Sequence, residues 1–325
     1  MADNILRAMP HARVLFIFVD GLGLGPDDPA TNPVAAAGLP TLTGLLGGRP
    51  LLGRPDVDAG PASLVAVDAT HGVAGIPQSG TGHATILTGH DAVRRFGRHH
   101  GPWVPTALRP LVAEESILAR AKGAGLRVAF ANAYPEELLA RLPTDRPVAE
   151  AVTSGRLGPL RAGPPLAALG AGELSRHTAA LERGDAVASE ITNDGWIEHL
   201  HRSLPRPTAG EAGGNLARIA NRHHLTLFAH YTTDYVGHRG TFGEAVEALE
   251  RLDAFLGGVL AGLADDTLLV VASDHGNIED VTREHTLNPA LGLLAGPRHR
   301  EVAARIRELR DVPRAILGVL GVAAD

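Results

Sequence analysis

Three aspartates and three histidines in this chain have the residue types and the spacing of metal ligands. They are Asp20, Asp234, His238, Asp274, His275 and His285. Asp274 and His275 are adjacent, and His285 follows ten residues after His275. Carboxylate and imidazole groups in this number suit two divalent ions that clamp a phosphoryl group. The alternative for the pair at 274 and 275 is a polar loop with a histidine close by in sequence.

A hydroxyl group that could act as a nucleophile lies in a separate glycine-rich turn. Ser79 and Thr81 stand between Gly75 and His83, and a helix-compatible run follows at 84–88. The N-terminus of a helix offers free N–H groups and a positive dipole end to an anion. In this interpretation the hydroxyl attacks phosphorus. The alternative is a serine that only caps the helix.

Short apolar runs, which predict buried strands, position the three aspartates. These runs are residues 14–19, 225–230 and 267–272. The carboxyl ends of parallel strands meet at one edge of a sheet, so the six residues can come together there. Three further strands are predicted at 64–69, 127–131 and 287–294, and the clearest helices at 111–123 and 241–263.

Residues 132–208 differ in character from the rest of the chain. They are rich in Ala, Leu, Arg and Pro, they contain no convincing strand pattern, and helix-like stretches occur at 166–183 and 186–200. We expect one domain over residues 1–325, in which this segment forms a helical cap insertion. The cap is expected to cover the site and to touch the core only around the mouth of the site.

Composition excludes several classes of function. Of the 325 residues 44% are hydrophobic and 20% are charged, as in a soluble globular protein. The net charge of −6 gives no basic footprint for nucleic acid. The absence of Cys excludes thiolate catalysis and Cys-bound zinc. The apolar run at 14–19 is too short for a signal peptide or a membrane span, so we expect a cytoplasmic protein with no membrane contact.

Five motifs occur in order along the chain. They are Asp-Gly-x-Gly from Asp20, Ser-x-x-x-His from Ser79, Asp-x-x-x-His from Asp234, Asp-His-Gly-Asn from Asp274 and His-Thr from His285. This ordered set resembles the alkaline phosphatase superfamily, in particular its branch of cofactor-independent phosphoglycerate mutases. The resemblance implies an α/β three-layer sandwich with a largely parallel central sheet.

The same resemblance implies how the site is built. Two divalent ions would be bound, either Mn²⁺ or Zn²⁺, with Mg²⁺ as a further choice. The ligands of one ion would be Asp20, Ser79, Asp274 and His275, and those of the other would be Asp234, His238 and His285. Ser79, four residues before His83, would be the nucleophile that becomes transiently phosphorylated.

We expect hydrolysis of a small phosphate ester through this phosphoserine. The glycolytic mutases carry a longer insertion and a lysine beside the phosphate, whereas Lys122 is the only lysine of this chain. A phosphomutase, a phosphodiesterase and a non-catalytic metal-binding relative remain open as alternatives. Four residues are expected to contact the substrate, although the basic ones among them could equally form a solvated loop. They are Asn32, Arg94, His99 and His100.

Overall fold

Six strands form one sheet in the part of the chain that the structure describes. The computed structural model describes residues 12–48, 51–52, 60–142, 147–154 and 157–323. The strands are β1 (Arg13–Val19), β2 (Ala62–Val67), β3 (Val128–Phe130), β4 (Leu225–His230), β5 (Thr267–Ser273) and β6 (Ala290–Ala295). Their order is β2-β6-β5-β1-β4-β3, and β6 alone runs antiparallel to its neighbours. The six predicted strands are present, and the largely parallel sheet confirms the predicted fold class.

The central strand β1 is buried on both faces. Its alternate side chains enter two hydrophobic clusters, with Phe16 and Phe18 in one and Leu15 and Ile17 in the other. A parallel strand that is covered on both sides reads as a continuous apolar run, which is the pattern of β1. The sheet is therefore the middle of three layers.

Helices cover both faces of this sheet. They are α1 (Pro33–Ala36), α2 (Pro40–Leu45), α3 (Ser79–Thr88), α4 (Ala92–Phe96), α5 (Arg109–Glu115), α6 (Ile117–Gly123), α7 (Glu136–Leu139), α8 (Val148–Ser154), α9 (Gly163–Gly170), α10 (Thr178–Glu182), α11 (Asp194–Glu198), α12 (Ala209–Ala220), α13 (Thr232–Arg239), α14 (Phe242–Gly262), α15 (His299–Ala303) and α16 (Asp311–Val319). None of the helices in the described ranges combines the length and the hydropathy needed to cross a membrane.

The long helix α14 confirms the helix predicted at 241–263. It begins after Thr241, whose side chain accepts a hydrogen bond from the backbone N–H of Glu244 in a capping box. Leu249 and Leu256 are among its buried residues and pack into the cluster on one face of the sheet. An apolar stripe at helical spacing is what the sequence pattern predicts.

The segment predicted as helical at 111–123 is helical except at Ser116, where the chain breaks into α5 and α6. Ser116 between them has an extended conformation, with φ of −65° and ψ of 158°. Its side chain accepts a hydrogen bond from the backbone N–H of Ala119 and so caps α6. A serine that bonds to the nearby backbone competes with helix continuation.

The segment predicted as a cap divides between two hydrophobic clusters. Leu166 of α9 belongs to the same cluster as Phe16 of β1. The expectation that the segment touches the core only around the site is therefore wrong for α9. Leu181 and Trp196 lie in a small separate cluster. The boundary at 132–208, of which some residues fall outside the described ranges, stays a prediction.

Candidate metal centre

Neighbouring strands place the first two carboxylates side by side. β1 and β5 are parallel, and Val19 is paired with Ser273 at their carboxyl ends. Asp20 and Asp274 are the next residues of these strands, and both are buried. β4 adjoins β1 on its other side and leads into α13, which carries Asp234. The ends of the three strands thus meet at one edge of the sheet.

Three predicted ligands converge on the ring of His275, which is the fourth member of the first set. Its Nε2 atom lies 2.9 Å from Oγ of Ser79. The same nitrogen lies 3.3 Å from Oδ1 of Asp20 and 3.5 Å from Oδ2 of Asp274. The structure therefore brings together the whole first set of predicted ligands, which come from three distant parts of the sequence.

The second predicted set forms a neighbouring cluster. Asp234 and His238 lie one turn apart on α13, with Oδ1 and Nε2 separated by 3.4 Å. Nε2 of His285 is 3.5 Å from that oxygen and 3.0 Å from Nε2 of His238. Burial acts to raise the pKa of the Asp234 carboxyl, but hydrogen bonds from both histidines hold it well below its usual range. The bond with Asp234 in turn raises the pKa of His238.

The two clusters are in direct contact. The rings of His275 and His285 stack with their centroids 3.9 Å apart. Asp234, His275 and His285 each have one ligand atom within 4.8 Å of those of the other two. The same distance holds for one ligand atom from each of Asp20, Asp274 and His275. His275 thus stands between the two groups, and its predicted assignment to the Asp20 set stays a prediction.

The buried carboxylates fit a divalent cation. Oδ1 of Asp20 and both side-chain oxygens of Asp274 are buried without a hydrogen-bond partner among the described residues. Burial, together with the nearby charges of Asp20 and Asp234, raises the pKa of the Asp274 carboxyl well above its usual range. A cation among them would supply the missing partner and offset the repulsion. Oxygen and nitrogen ligands without a thiolate suit Mn²⁺, Zn²⁺ and Mg²⁺.

The two hydroxyls of the glycine-rich turn have different surroundings. Ser79 is the first residue of α3, and Gln78 occupies the N-cap position, so the alternative of a serine cap is wrong. Oγ1 of Thr81 accepts a hydrogen bond of 3.2 Å from the backbone N–H of His100. The backbone N–H of Thr81 donates to the carbonyl of His100 in return. Ser79 therefore faces His275, while Thr81 fastens the turn to a neighbouring loop.

His83 is a site residue that the sequence analysis used only as a marker of spacing. Its Nε2 atom lies 3.1 Å from Oδ2 of Asp20 and 3.5 Å from Oδ2 of Asp274. Nδ1 accepts a hydrogen bond of 3.2 Å from the backbone N–H of Gly163, which assigns the proton to Nε2. The spacing of four residues from Ser79 could have revealed it, because it puts both side chains on one face of α3.

Two of the predicted substrate contacts have their polar groups bonded to the protein. Nδ2 of Asn32 donates to the carbonyl of Pro26, and Oδ1 accepts from the backbone N–H of Val34 as the N-cap of α1. The guanidinium of Arg94 donates to the carbonyl of His71 through Nε and Nη2. Both bonding patterns stabilise loops, and the roles of Asn32 and Arg94 in substrate binding stay predictions.

The two predicted histidine contacts lie in the loop that packs on the glycine-rich turn. Nε2 of His99 lies 3.2 Å from the carbonyl oxygen of Val73. The backbone of His100 is bonded to Thr81, and its ring packs edge to face on Phe96 with centroids 5.1 Å apart. His100 is thus connected through Thr81 to the turn that carries the hydroxyl of Ser79. Its contact with a substrate stays a prediction.

Part of the sequence matches known metalloenzymes. Residues 211–324 match the family model described as the metalloenzyme superfamily. The 2,3-bisphosphoglycerate-independent phosphoglycerate mutase of Thermomicrobium roseum is 35% identical over 119 residues, which cover 33% of this chain and 23% of the mutase. The same enzyme of Desulforudis audaxviator is 30% identical over 126 residues, which cover 36% and 25%. The chain spans about a quarter of the length of these curated relatives.

Solved structures share the fold over nearly the whole chain. The PH0037 protein from Pyrococcus horikoshii matches with a TM-score of 0.56 and 12% identity, covering 97% of this chain and 98% of that one. The alkaline phosphatase from the Antarctic bacterium TAB5 matches with a TM-score of 0.51 and 14% identity, covering 97% and 99%. The family match over residues 211–324 and the shared fold together confirm the predicted resemblance to the metalloenzymes of the alkaline phosphatase superfamily.

Proposed function

We propose that this chain hydrolyses a small phosphate ester in a metal-dependent reaction with Ser79 as the nucleophile. The observation that carries the proposal is the position of the Ser79 hydroxyl, 2.9 Å from Nε2 of His275. The carboxylates of Asp20 and Asp274 converge on the same nitrogen. A hydroxyl in that position would touch both the cations that these ligands hold and a phosphoryl group drawn to them.

Two divalent ions, Mn²⁺, Zn²⁺ or Mg²⁺, would be held by the two side-chain clusters. The proposed ligands are Asp20, Ser79, Asp274 and His275 for one ion, and Asp234, His238 and His285 for the other. When bound, the ions would neutralise charge on the phosphoryl group and lower the pKa of the serine hydroxyl.

The reaction proceeds in two displacements at phosphorus. In the first, Ser79 loses its hydroxyl proton to solvent, Oγ forms a bond to phosphorus, and the bond from phosphorus to the ester oxygen breaks. The alcohol leaves with a proton from water. In the second, a water oxygen loses a proton to solvent and forms a bond to phosphorus, and the bond from phosphorus to Oγ breaks. Inorganic phosphate leaves, and Oγ takes up a proton from water, which restores the Ser79 hydroxyl. The N-terminus of α3 adds a favourable dipole beside the anionic phosphoryl group.

His83 orients the carboxylate of Asp20 in this site. Nε2 of His83 donates to Oδ2 of Asp20, with 3.1 Å between the two atoms. The other oxygen of that carboxylate, Oδ1, faces His275. A ligand whose second oxygen is fixed in this way loses little conformational freedom when a cation binds. His83 is therefore proposed as a residue that positions Asp20.

A metal-reconstitution assay tests the proposal. Metal-stripped protein would receive Mn²⁺, Zn²⁺ or Mg²⁺ singly and be assayed for phosphate release from a panel of phosphate monoesters and diesters. We expect ion-dependent hydrolysis of monoesters, and no hydrolysis by the Ser79→Ala variant. Absence of phosphate release with every ion, from a protein that binds those ions, would contradict a hydrolase.

A phosphomutase is the second candidate, because matched relatives at 35% and 30% identity are phosphoglycerate mutases. A mutase returns the phosphoryl group from the serine to the same substrate before water arrives. It would produce an isomer of the substrate without inorganic phosphate, whereas a diesterase would release an alcohol and leave a monoester. The same assay, analysed for phosphate, alcohol and isomeric product, separates the three activities.

A further inference from the structure

Glu279 is a buried carboxylate that follows the Asp-His-Gly-Asn motif by two residues. Only 1% of the surface of this residue is exposed. Oε2 accepts hydrogen bonds from the backbone N–H groups of Gly23, at 2.9 Å, and Asn277, at 2.8 Å. Oε1 accepts from the hydroxyl of Thr286 and from Nδ2 of Asn288, the latter at 3.1 Å. Both oxygens of this carboxylate are therefore filled by N–H and O–H donors.

The donors belong to three chain segments, and each segment carries a proposed metal ligand. Gly23 lies in the turn that follows Asp20, and Asn277 lies in the turn that follows His275. Thr286 is the residue after His285. One carboxylate thus joins the turn of Asp20, 256 positions away from Glu279, to the two segments on either side of Glu279.

Asn277 extends the connection to the helix that carries the remaining ligands. While its backbone N–H donates to Glu279, its Nδ2 donates to Oδ1 of Asp234 at 2.8 Å. Oδ1 is the same oxygen that lies 3.5 Å from Nε2 of His285. Glu279 therefore reaches Asp234 through Asn277, while its bonds to Gly23 and Thr286 connect it to the segments that carry Asp20 and His285.

The glycines of two motifs leave the space that this carboxylate occupies. A Cβ atom on Gly23 would lie 2.3 Å from Oε1 of Glu279, and one on Gly276 would lie 2.2 Å from it. Any side chain at either position would have to push the carboxylate out of its place. Gly23 and Gly276 therefore leave room for the carboxylate of Glu279.

We propose that Glu279 is a positioning residue that sets the geometry of both metal sites. This inference rests on the proposed metal ligands and not on the identity of the substrate. Glu279 does not need to bind an ion itself, because its oxygens already accept hydrogen bonds from four donors. Its effect is to hold the segments of Asp20, His275 and His285 at one fixed separation, and groups that orient ligands in this way tune metal affinity.

Titration of Mn²⁺ into metal-stripped protein by calorimetry tests the role. Glu279→Gln keeps the size of the side chain but replaces one acceptor oxygen with a donor. We expect it to unfold cooperatively, yet to bind Mn²⁺ at both sites about tenfold more weakly or worse. If the chain turns over a phosphate ester, kcat should fall more than KM rises, because the ions act in the transition state.

Asp253→Asn provides a matched control for a structural effect. Asp253 is 2% exposed and also accepts two backbone N–H bonds from a distant segment, from Thr41 at 3.0 Å and from Leu42 at 2.8 Å. These bonds fasten α2 to α14 and involve none of the proposed metal ligands. We expect Asp253→Asn to lower thermal stability while Mn²⁺ affinity stays unchanged.

A double-mutant cycle that combines Gly23→Ala with Glu279→Gln tests whether the two residues act on Mn²⁺ binding together. The added methyl group should weaken Mn²⁺ binding by displacing Glu279, so the double variant should lose less than the sum of the two single losses. Gly23→Ala also serves alone if Glu279→Gln does not fold.

Wild-type Mn²⁺ affinity in Glu279→Gln, or an equal loss in Asp253→Asn, would overturn the proposal. A protein that binds Mn²⁺ but hydrolyses nothing would refute the proposed function and leave this test intact.

Discussion

The hydroxyl of Ser79 lies 2.9 Å from Nε2 of His275, although 196 positions separate the two residues in the chain. Ser79 begins α3, and His275 follows the end of β5 by two residues. The contact therefore requires the helix N-terminus and the strand end to meet at the same edge of the sheet. This edge also receives Asp20 and Asp234, which together with Asp274 give the site three carboxylates.

Removal of the Asp274 carboxylate should empty at least one metal site. Both oxygens of this side chain are buried without a partner among the described residues, so a cation is their natural counterpart. Elemental analysis after dialysis is expected to find two divalent ions per wild-type chain and at least one fewer in Asp274→Asn. Two ions retained by the variant would contradict the assignment.

Metal-free wild type and metal-free Asp274→Asn provide the control for this experiment. Burial, together with the charges of Asp20 and Asp234, opposes ionisation of the Asp274 carboxyl and raises its pKa. The metal-free Asp274→Asn variant should consequently be at least as stable as metal-free wild type in thermal unfolding. A large loss of stability would mean that the variant loses its ions because the fold is damaged.

The stability of the metal-free chain should fall in mild acid because of His230. Burial lowers the pKa of this histidine to about 4, although its hydrogen bond with the carbonyl of Ser189 favours the charged form. The unfolded chain binds the proton near pH 6.5, so stability is full above that pH and falls as the pH drops towards 4. Between pH 7 and pH 5 the loss is about 2 kcal/mol.

Urea unfolding of wild type and His230→Asn at the two pH values measures this loss. The asparagine keeps a side-chain N–H for the carbonyl of Ser189 but cannot titrate. We expect the wild type to lose about 2 kcal/mol more than the variant between pH 7 and pH 5. Equal losses in the two proteins would show that another group causes the acid sensitivity.

Hydrogen exchange should divide the segment predicted as a cap into two parts. α9 shares a hydrophobic cluster with β1, whereas Leu181 and Trp196 belong to a small cluster of their own. Opening free energy follows the buried apolar contacts of a segment, so α9 should exchange as slowly as the sheet, and α10 and α11 should exchange faster. Uniform protection across these helices would contradict the division.

The strands could be predicted from sequence because they are local patterns, whereas the ligand set that the resemblance implies stays a prediction. Residues 225–230 are mostly apolar, and β4 has these bounds. Strand ends then indicated where aspartates would be placed, and the structure brings Asp20 and Asp274 together as neighbours. The order of the strands in the sheet could not be predicted, because it depends on packing between distant segments.

Glu279 and Ser116 show what local patterns miss. Nothing near Glu279 in sequence reveals that its carboxylate meets Gly23, 256 positions away. The apolar spacing at 111–123 suits one helix, but the hydroxyl of Ser116 bonds to the backbone and begins a second helix instead. Tertiary contacts decide the first case, and competition from a short polar side chain decides the second.

The two hydroxyls of the glycine-rich turn should differ sharply in their importance for activity. Ser79→Ala should abolish turnover and leave the chain folded with at least one ion bound, since Asp234, His238 and His285 are unchanged. Thr81→Ser keeps the hydroxyl that bonds to His100 and should retain most of the activity. Thr81→Ala should cost more than Thr81→Ser, because the partly buried backbone N–H of His100 loses its partner.

The most direct test is mass spectrometry of protein quenched during turnover of a phosphate ester found in the substrate panel. Peptides that contain both hydroxyls should carry phosphate on Ser79 in wild type and in Thr81→Ser. The Ser79→Ala variant should carry no phosphate and release none. Phosphate on residue 81, or full activity in Ser79→Ala, would contradict a phosphoserine mechanism at this site.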